Sequence, residues 1–247
     1  MAIYLFTGKK RVLICISALF AAVVCTLTRS AWVAFLVYCI IGLIYLIYNR
    51  KNEYFLRMAI ILICFLSVFM LLNITRGDQI WGRISEGAEE AGSVIKNGIE
   101  YETGSYRGII WKLCINNIPK RPLLGGGVDG TKYILIKDQL MEVWDFAQET
   151  GVVMDKAHNE FLQIAVTMGV PALIVYLVFI VFVMKKDLKD IMKNKISFIF
   201  AIVFISYTVQ AFFNLSVIQV APFYWILLGL AGNKEYREEL EKIKLEG

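Results

Sequence analysis

The chain has 247 residues, of which 58% are hydrophobic and 19% are charged, and its mean hydropathy is +0.61. This apolar content exceeds the roughly 45–50% of an ordinary soluble domain, so we expect an integral membrane protein. The formal net charge of +5 does not indicate a nucleic-acid partner, because the basic residues cluster beside apolar segments.

Six apolar stretches follow one another along the chain, and each predicts a transmembrane helix. They are residues 12–27, 31–48, 58–74, 170–184, 196–213 and 217–231. Several are shorter than the roughly 20 residues that cross a bilayer, so flanking residues must complete those spans. The predicted fold is an all-α integral membrane protein with about six transmembrane helices, forming one membrane domain over residues 1–247.

Basic residues in the short connections predict how these helices are oriented. Arg50, Lys51 and Arg57 precede the third stretch, and five lysines lie within residues 185–195. Cytoplasmic loops are enriched in Lys and Arg, so both connections are expected inside the cell. The turn at 28–30, the long segment 75–157 and the turn at 214–216 then lie together outside.

The segment 75–157 is inserted between the third and fourth stretches, and loops of this length usually carry function or structure. Several of its apolar residues recur at helical spacing, namely Ile80, Trp81, Ile84, Ala88, Ala91 and Ile95. They predict a helix that either lies on the membrane surface or packs against the rest of the loop. The segment is therefore expected to contain short helices.

Ser105 is predicted to cap a second helix, which carries Arg107 and Trp111 and ends before Pro119. Arg107 would then lie in the first turn, where free backbone N–H groups and its guanidinium suit a phosphate group. An ordinary surface arginine is the alternative interpretation.

Three glycines at 125–127 are not a nucleotide-binding P-loop, because Thr131 precedes Lys132 where that motif requires Lys before Ser or Thr. They predict a tight turn with positive φ, in which backbone approaches backbone or a ligand. The five cysteines show no C-x-x-C spacing, so neither a metal site nor a disulfide framework is expected.

His158 is the only histidine, and it lies where the polar segment meets the fourth apolar stretch. Its ordinary pKa makes it a candidate acid or base, and a solvated loop histidine is the alternative. Residues 159–184 are predicted to form one helix, bent if anywhere near Pro171. That helix would measure roughly 39 Å against roughly 30 Å of hydrocarbon, which places His158 near the outer headgroups.

Four groups of residues together resemble a known family. They are Thr26-Leu27-Thr28-Arg29-Ser30, Arg107 with Trp111, Pro122-Leu123-Leu124-Gly125-Gly126-Gly127, and His158-Asn159-Glu160-Phe161-Leu162-Gln163 followed by Gly169. Over residues 19–232 the chain resembles the ligase domain of O-antigen ligases, O-antigen polymerases and related bacterial surface-polysaccharide enzymes. That family usually has Ser before the first arginine and Gly after it, where this chain has Thr28 and Ser30.

The resemblance implies transfer of a glycan from a polyprenyl-diphosphate carrier, such as undecaprenyl diphosphate, to an acceptor hydroxyl of a glycan or lipid-linked acceptor. The expected place is the outer face of the bacterial cytoplasmic (inner) membrane, where O-antigen, capsule or exopolysaccharide is ligated or polymerised without ATP, cofactor or metal. Arg29 and Arg107 are expected to hold the diphosphate, and His158 to take the acceptor proton.

The resemblance also suggests substrate-binding residues beyond these three. Asn159 is expected to orient His158, to bind glycan or simply to cap a helix. Gly126 is a candidate for close backbone approach to substrate. Aromatic residues are expected either to stack on sugar rings or to mark the membrane interface, namely Trp81, Tyr106, Trp111, Tyr133 and Trp144.

The sequence also bears on two other functions. A transport or pore subunit is disfavoured, because the six apolar stretches contain no charged residue. Family members typically have ten or more spans, so the chain resembles a C-terminal half. An inactive or split-protein subunit, with a partner chain that supplies the missing spans, stays open as an alternative. Ligase and polymerase differ in their acceptor, which no motif in this sequence identifies.

Overall fold

The computed structural model describes residues 1–76, 79–97, 103–217 and 219–242, which are helical and contain no β-strand. The helices are α1 (Ala2–Thr7), α2 (Lys10–Cys25), α3 (Arg29–Asn49), α4 (Asn52–Arg76), α5 (Gln79–Asn97), α6 (Thr103–Asn117), α7 (Thr131–Asp138), α8 (Leu140–Thr150), α9 (Glu160–Met168), α10 (Val170–Asp190), α11 (Lys195–Phe212), α12 (Ala221–Gly232) and α13 (Lys234–Lys242). A 3-10 helix (Ile118–Lys120) follows α6.

Among the described residues, three helices are long and apolar enough to cross a membrane, namely α3, α4 and α11. The other predicted spans also fall on helices, but α2 has 16 residues and α12 has 12. In α10 the apolar part ends at Met184, before Lys185 and Lys186. The prediction of an all-helical chain with membrane-spanning helices is confirmed, and the number of six spans stays a prediction.

Residue contacts divide the chain into two compact units. The first unit contains Met1–Gly87, Val183–Gln210 and Pro222–Gly247, and the second contains Ala88–Phe182 and Ala211–Ala221. Each unit has a core of its own. The predicted single membrane domain with an inserted loop at 75–157 stays a prediction.

The core of the first unit is built around Phe6 of α1. Its ring meets those of Tyr45, Tyr54 and Phe198 edge to face, with centroids 5.6, 5.7 and 5.8 Å away. Aromatic pairs prefer this arrangement, because the positive ring edge meets the negative ring face. The contacts tie α1 to α3, α4 and α11 by van der Waals packing, which is the main attraction between helices in lipid.

The core of the second unit is built around α6. Ile109, Ile110, Leu113 and Cys114 lie on one face of that helix and are buried. They pack against buried residues of α7, α8 and α9, namely Ile134, Leu135, Val143, Phe146 and Val166. Much of the segment predicted to lie outside the membrane is thus a folded helical core rather than a loose connection.

The helices α5 and α6 correspond to two helices predicted from the sequence. α6 begins at Thr103, three residues earlier than a cap at Ser105 implies, so the predicted cap is wrong and Arg107 lies in the second turn rather than the first. The Ser105 side chain lies outside the described part of the structure. A serine favours a helix N-terminus only locally, so it does not by itself decide where a helix begins. α5 confirms the helix predicted from the apolar spacing, with Ile80 buried and Trp81 54% exposed. The Ile95 side chain is not described, and the position of α5 on the membrane stays a prediction.

The single helix predicted over residues 159–184 is wrong. α9 ends at Met168 and α10 begins at Val170, because Gly169 between them has φ 91° and ψ 166°. A Cβ at Gly169 would lie 2.3 Å from the carbonyl oxygen of Leu123, so only glycine fits there. Pro171 lies in the first turn of α10, where its missing N–H removes no helical hydrogen bond.

The glycine-rich turn (residues 122–128) lies against this break. The N–H groups of Gly126 and Gly127 donate to the carbonyl oxygens of Val166 and Thr167, both at 2.9 Å. These bonds satisfy carbonyls that the end of α9 leaves without helical partners. Gly127 has φ 93°, so the predicted turn with positive φ and close backbone approach is confirmed.

Candidate functional site

His158 lies immediately before α9 and is half-buried. Its φ of 47° is in the left-handed region, which few residues other than glycine adopt. Asn159 follows as the N-cap of α9, and its Oδ1 accepts a hydrogen bond of 3.0 Å from the Leu162 N–H. Such backbone strain often accompanies functional sites, so the conformation itself marks His158 as a candidate.

The residue before His158 is held by two side chains from different elements. The Ala157 N–H donates to Oε1 of Gln163 at 2.8 Å, and Nε1 of Trp111 donates to the Ala157 carbonyl at 2.9 Å. Gln163 in turn donates through Nε2 to the buried Thr131 hydroxyl at 2.9 Å. α6, α7 and α9 therefore fix the backbone that carries His158.

Two cavities of the second unit share the wall that carries His158. The Arg107 cavity, named after one of its lining residues, has a volume of about 430 Å³. The Asp129 cavity has a volume of about 650 Å³. Asp155, Lys156 and His158 line both of them. A group at His158 can thus act between two separately bound molecules.

The electrostatics of the site favour a neutral imidazole. Burial lowers the pKa of His158 below its ordinary value, and the positive charges of Arg107 and Lys156 lower it further, while Asp155 opposes them. A lowered pKa leaves the ring uncharged and able to accept a proton at neutral pH. The arrangement fits a base better than an acid.

The Arg107 cavity combines a cation with aromatic and apolar walls. Arg107 lies in the second turn of α6, and Tyr106 beside it meets Phe146 edge to face at 5.7 Å. Val152 and Val153 also line the cavity. A guanidinium is suited to phosphate oxygens, and an aromatic wall is suited to a sugar ring.

Seven of the twelve residues that line the Asp129 cavity carry carboxylate, amide or hydroxyl groups. They are Asp129, Asp155, Glu160, Gln163, Asn214, Ser216 and Gln219. Glu160 is buried, and its Oε1 accepts a hydrogen bond of 2.9 Å from the Tyr176 hydroxyl. Such side chains pair with the donors and acceptors of a polyhydroxylated molecule.

Three residues predicted to bind substrate have contacts inside the protein. Trp111 packs edge to face on Phe212 at 5.5 Å and uses its N–H to hold Ala157. Asn159 caps α9, which was one of its three expected roles. The N–H of Gly126 is bonded to Val166. Their binding of substrate stays a prediction, and the structure adds a positioning role for Trp111.

Arg29 belongs to the first unit and is the first residue of α3, after Thr28 as its N-cap. A Cβ on Gly87 would lie 3.6 Å from Cδ of Arg29, so the arginine stem packs against α5. Its proposed work together with Arg107 and His158 stays a prediction.

The remaining aromatic candidates are mostly exposed. Trp81 is 54%, Tyr133 is 74% and Trp144 is 57% exposed, while Tyr106 lines the Arg107 cavity. Over the described residues, no three His, Cys, Asp or Glu side chains lie where they could hold a metal ion together. Burial raises the pKa of the Cys114 thiol to about 12, so that cysteine is a core residue and a poor nucleophile.

Comparison with known proteins decides the family. A family model described as O-antigen ligase (Wzy_C) matches residues 14–177. The chain belongs to the O-antigen ligase family. No curated protein matches it. Membership indicates a glycosyl-transfer enzyme of polysaccharide ligation or polymerisation, which works in a membrane on lipid-linked glycans.

The range matched by the O-antigen ligase model contains every site residue predicted from the sequence, from Arg29 to Asn159. It also contains Gln163, to which sequence reasoning gave no role. A polar amide side chain among the apolar residues one turn inside α9 was the available signal, because a buried polar group needs a hydrogen-bond partner. In this family member the partners are Ala157 and Thr131.

Proposed function

We propose that this O-antigen ligase family member transfers a glycan from a polyprenyl-diphosphate-linked donor to an acceptor hydroxyl, at the outer face of the cytoplasmic membrane. The observation that carries the proposal is the position of His158. Its imidazole, kept neutral by burial and by Arg107, lies on the wall shared by the Arg107 and Asp129 cavities.

Arg107 binds the diphosphate of the donor in this proposal. As the bond to the anomeric carbon breaks, the leaving diphosphate gains negative charge, which a guanidinium stabilises through paired hydrogen bonds. Arg29 provides a second guanidinium. Two arginines then neutralise the leaving group in the way that a divalent ion does in metal-dependent enzymes, so the reaction needs no metal.

His158 acts as the general base. The acceptor hydroxyl gives its proton to the imidazole, and its oxygen forms the new bond to the anomeric carbon. The electron pair of the broken carbon–oxygen bond leaves with the diphosphate. A positioned base of this kind contributes roughly a hundredfold to ten-thousandfold in rate.

The Asp129 cavity binds the acceptor glycan in this proposal. Its carboxylate and amide side chains match sugar hydroxyls, which both donate and accept hydrogen bonds. The Arg107 cavity, with Tyr106 and Phe146 on its wall, holds the sugar next to the diphosphate. The acceptor hydroxyl and the anomeric carbon then meet at His158.

The membrane arrangement proposed from the sequence places this chemistry outside the cell. Six spans cross the bilayer, the lysine-rich connection around Lys189 lies in the cytoplasm, and the segment 75–157 lies outside. The three helices that can span a membrane support the multi-pass part of this arrangement.

The direct test is glycan transfer in membranes. Membranes containing the chain, and matched membranes without it, are incubated with a polyprenyl-diphosphate-linked oligosaccharide and either a second glycan chain or a lipid-linked acceptor. We expect a chain-dependent product whose mass equals that of the acceptor plus the transferred glycosyl residue, with release of the polyprenyl diphosphate, and the successful acceptor separates polymerase from ligase. Absence of product with every acceptor would contradict the proposal for the isolated chain.

The alternative function, a subunit that needs a partner chain, gives a different result in the same assay. Transfer would then appear only after co-expression with a second membrane protein that supplies further spans. A product that still depends on His158 of this chain would place the base here, whereas independence from His158 would support an inactive subunit.

A further inference from the structure

We infer that the glycine-rich turn (residues 122–128) inserts its apolar side chains into the outer leaflet of the bilayer, beside the point where α10 enters the membrane. The inference rests on the proposed topology, in which α10 crosses the membrane from the outside. It concerns how the second unit is anchored, which neither the family assignment nor the proposed reaction specifies.

The first observation is the exposure of the turn. Leu123 is 71%, Leu124 is 84% and Val128 is 81% exposed. All three belong to the segment predicted to lie outside the membrane, where water would face them. Adjacent large apolar residues at such exposure are costly in water and usually mark a contact surface.

The second observation is the position of the turn. The Val170 N–H donates to the Pro122 carbonyl oxygen at 2.8 Å, and Gly127 is bonded to Thr167. Both ends of the turn are therefore attached to the junction between α9 and α10. Met168 at this junction is itself 49% exposed. The apolar side chains lie at the level where the chain passes from the outer region into α10.

The third observation is the length of α10. Its apolar part, residues 170–184, measures roughly 22 Å, whereas the hydrocarbon core of a bilayer measures roughly 30 Å. Because Lys185 and Lys186 follow at the cytoplasmic end, the missing length lies on the outer side of Val170. The hydrocarbon boundary then falls at the glycine-rich turn, which supplies apolar side chains at that depth.

Charged residues beside the turn favour a bilayer over a protein as its partner. Lys120 and Arg121 precede the turn, and Asp129 and Lys132 follow it, so the side chains beside the turn carry a net positive charge; both lysines are exposed. Lysines that flank an apolar tip extend towards lipid phosphates while the tip lies among the acyl chains. A protein surface that buried the leucines would have to desolvate the same lysines.

The anchor would place the reaction site next to the lipids. Asp129 follows Val128 directly and lines the cavity that also contacts His158. With the turn in the leaflet, this cavity opens near the headgroups, at the depth of a lipid-linked diphosphate.

The test measures depth and not activity. The full chain is purified with Leu124→Cys, labelled with the environment-sensitive fluorophore NBD, and reconstituted into vesicles of phosphatidylcholine and phosphatidylglycerol. Parallel vesicles contain lipids with a nitroxide quencher on the acyl chain. Lys137→Cys in α7 is the matched control, because Lys137 is an exposed, charged residue of the same unit. The unsubstituted chain, treated identically, gives the background from its own cysteines.

We expect the label at position 124 to shift its emission to the blue and to be quenched by the acyl-chain nitroxides, while the label at 137 shows neither effect. Emission and quenching at 124 equal to those at 137 would overturn the inference. A blue shift without quenching would overturn it too, because the leucine would then be covered by protein. Loss of transfer activity would leave this readout unchanged, so failure of the proposed function and failure of the anchor are distinguishable.

Discussion

His158 is useful as a base only while its imidazole is uncharged. Burial, then Arg107, lowers its pKa below the ordinary value, which is about 6.5. Because the neutral form is the active one, the transfer rate should be constant around pH 7 and should fall as the pH drops through this lowered pKa. The neighbouring charges set where that fall begins.

The first prediction concerns those charges. Lys156→Gln removes a positive charge and should raise the pKa of His158, so the rate begins to fall at a higher pH. Asp155→Asn removes a negative charge and should lower the pKa of His158 further, so the rate begins to fall at a lower pH. The measurement is the pH profile of transfer at saturating donor. Shifts in the same direction, or no shift in either variant, would contradict the electrostatic account of His158.

The second prediction separates positioning from stacking at Trp111. Trp111→Phe keeps an aromatic ring against Phe212 but removes the N–H that holds the Ala157 carbonyl. We expect the rate constant for transfer to fall about tenfold or more, since small misplacements of a catalytic group are costly, with donor affinity unchanged. Trp144→Phe is the control, because Trp144 is exposed. An unchanged rate in Trp111→Phe would favour the stacking role.

At this scale the sequence identified candidate side chains but not what holds them. Arg107 and His158 were predicted from residue chemistry and the family resemblance, and the structure places both on one cavity. Gln163 and Trp111 act through bonds to the Ala157 backbone, six and 46 residues away. Their exact geometry depends on how α6 packs on α9, which no local pattern contains.

The break between α9 and α10 is the main structural feature at the scale of elements. The third prediction concerns Gly169→Ala, because a Cβ at this position would clash with the Leu123 carbonyl oxygen and because the φ of Gly169 is positive. Gly151→Ala places a Cβ at a residue whose φ is already positive but where nothing lies within 4 Å, and it should lower the free energy of unfolding by about 1 kcal/mol. Gly92→Ala meets neither problem inside α5, and should stabilise the chain by up to about 1 kcal/mol.

We expect Gly169→Ala to destabilise the chain more than Gly151→Ala, and Gly92→Ala to leave it stable. Thermal unfolding in detergent ranks the three variants, and transfer assays show whether the site is affected. Gly169→Ala with the stability of the unsubstituted chain would show that the contact with Leu123 is not rigid.

Element positions were predicted well where they depend on composition alone. The stretches at 31–48 and 196–213 correspond to α3 and α11 within two residues. The break at Gly169 was missed, because its cause lies at Leu123, 46 residues earlier. α7 and α8 were not assigned, since each is short and is stabilised by burial against α6 rather than by a strong sequence period.

The orientation of the whole molecule gives the fourth prediction. A cysteine at Asp129 should react with an impermeant thiol reagent in intact cells, and a cysteine at Lys189 should react only after lysis. The reason is that the connection around Lys189 is rich in basic residues, and such connections lie on the cytoplasmic side. Labelling of Lys189→Cys but not of Asp129→Cys in intact cells would reverse the topology.

The central claim for the whole molecule is that His158 takes the acceptor proton, and His158→Gln tests it most directly. The variant is compared with the unsubstituted chain at equal abundance in membranes, with donor binding and glycan transfer measured separately. The account predicts that donor binding persists while the transfer rate falls by roughly a hundredfold or more. Transfer at the unsubstituted rate, or loss of donor binding together with transfer, would contradict it and direct attention to Glu160 or Asp155 as the base.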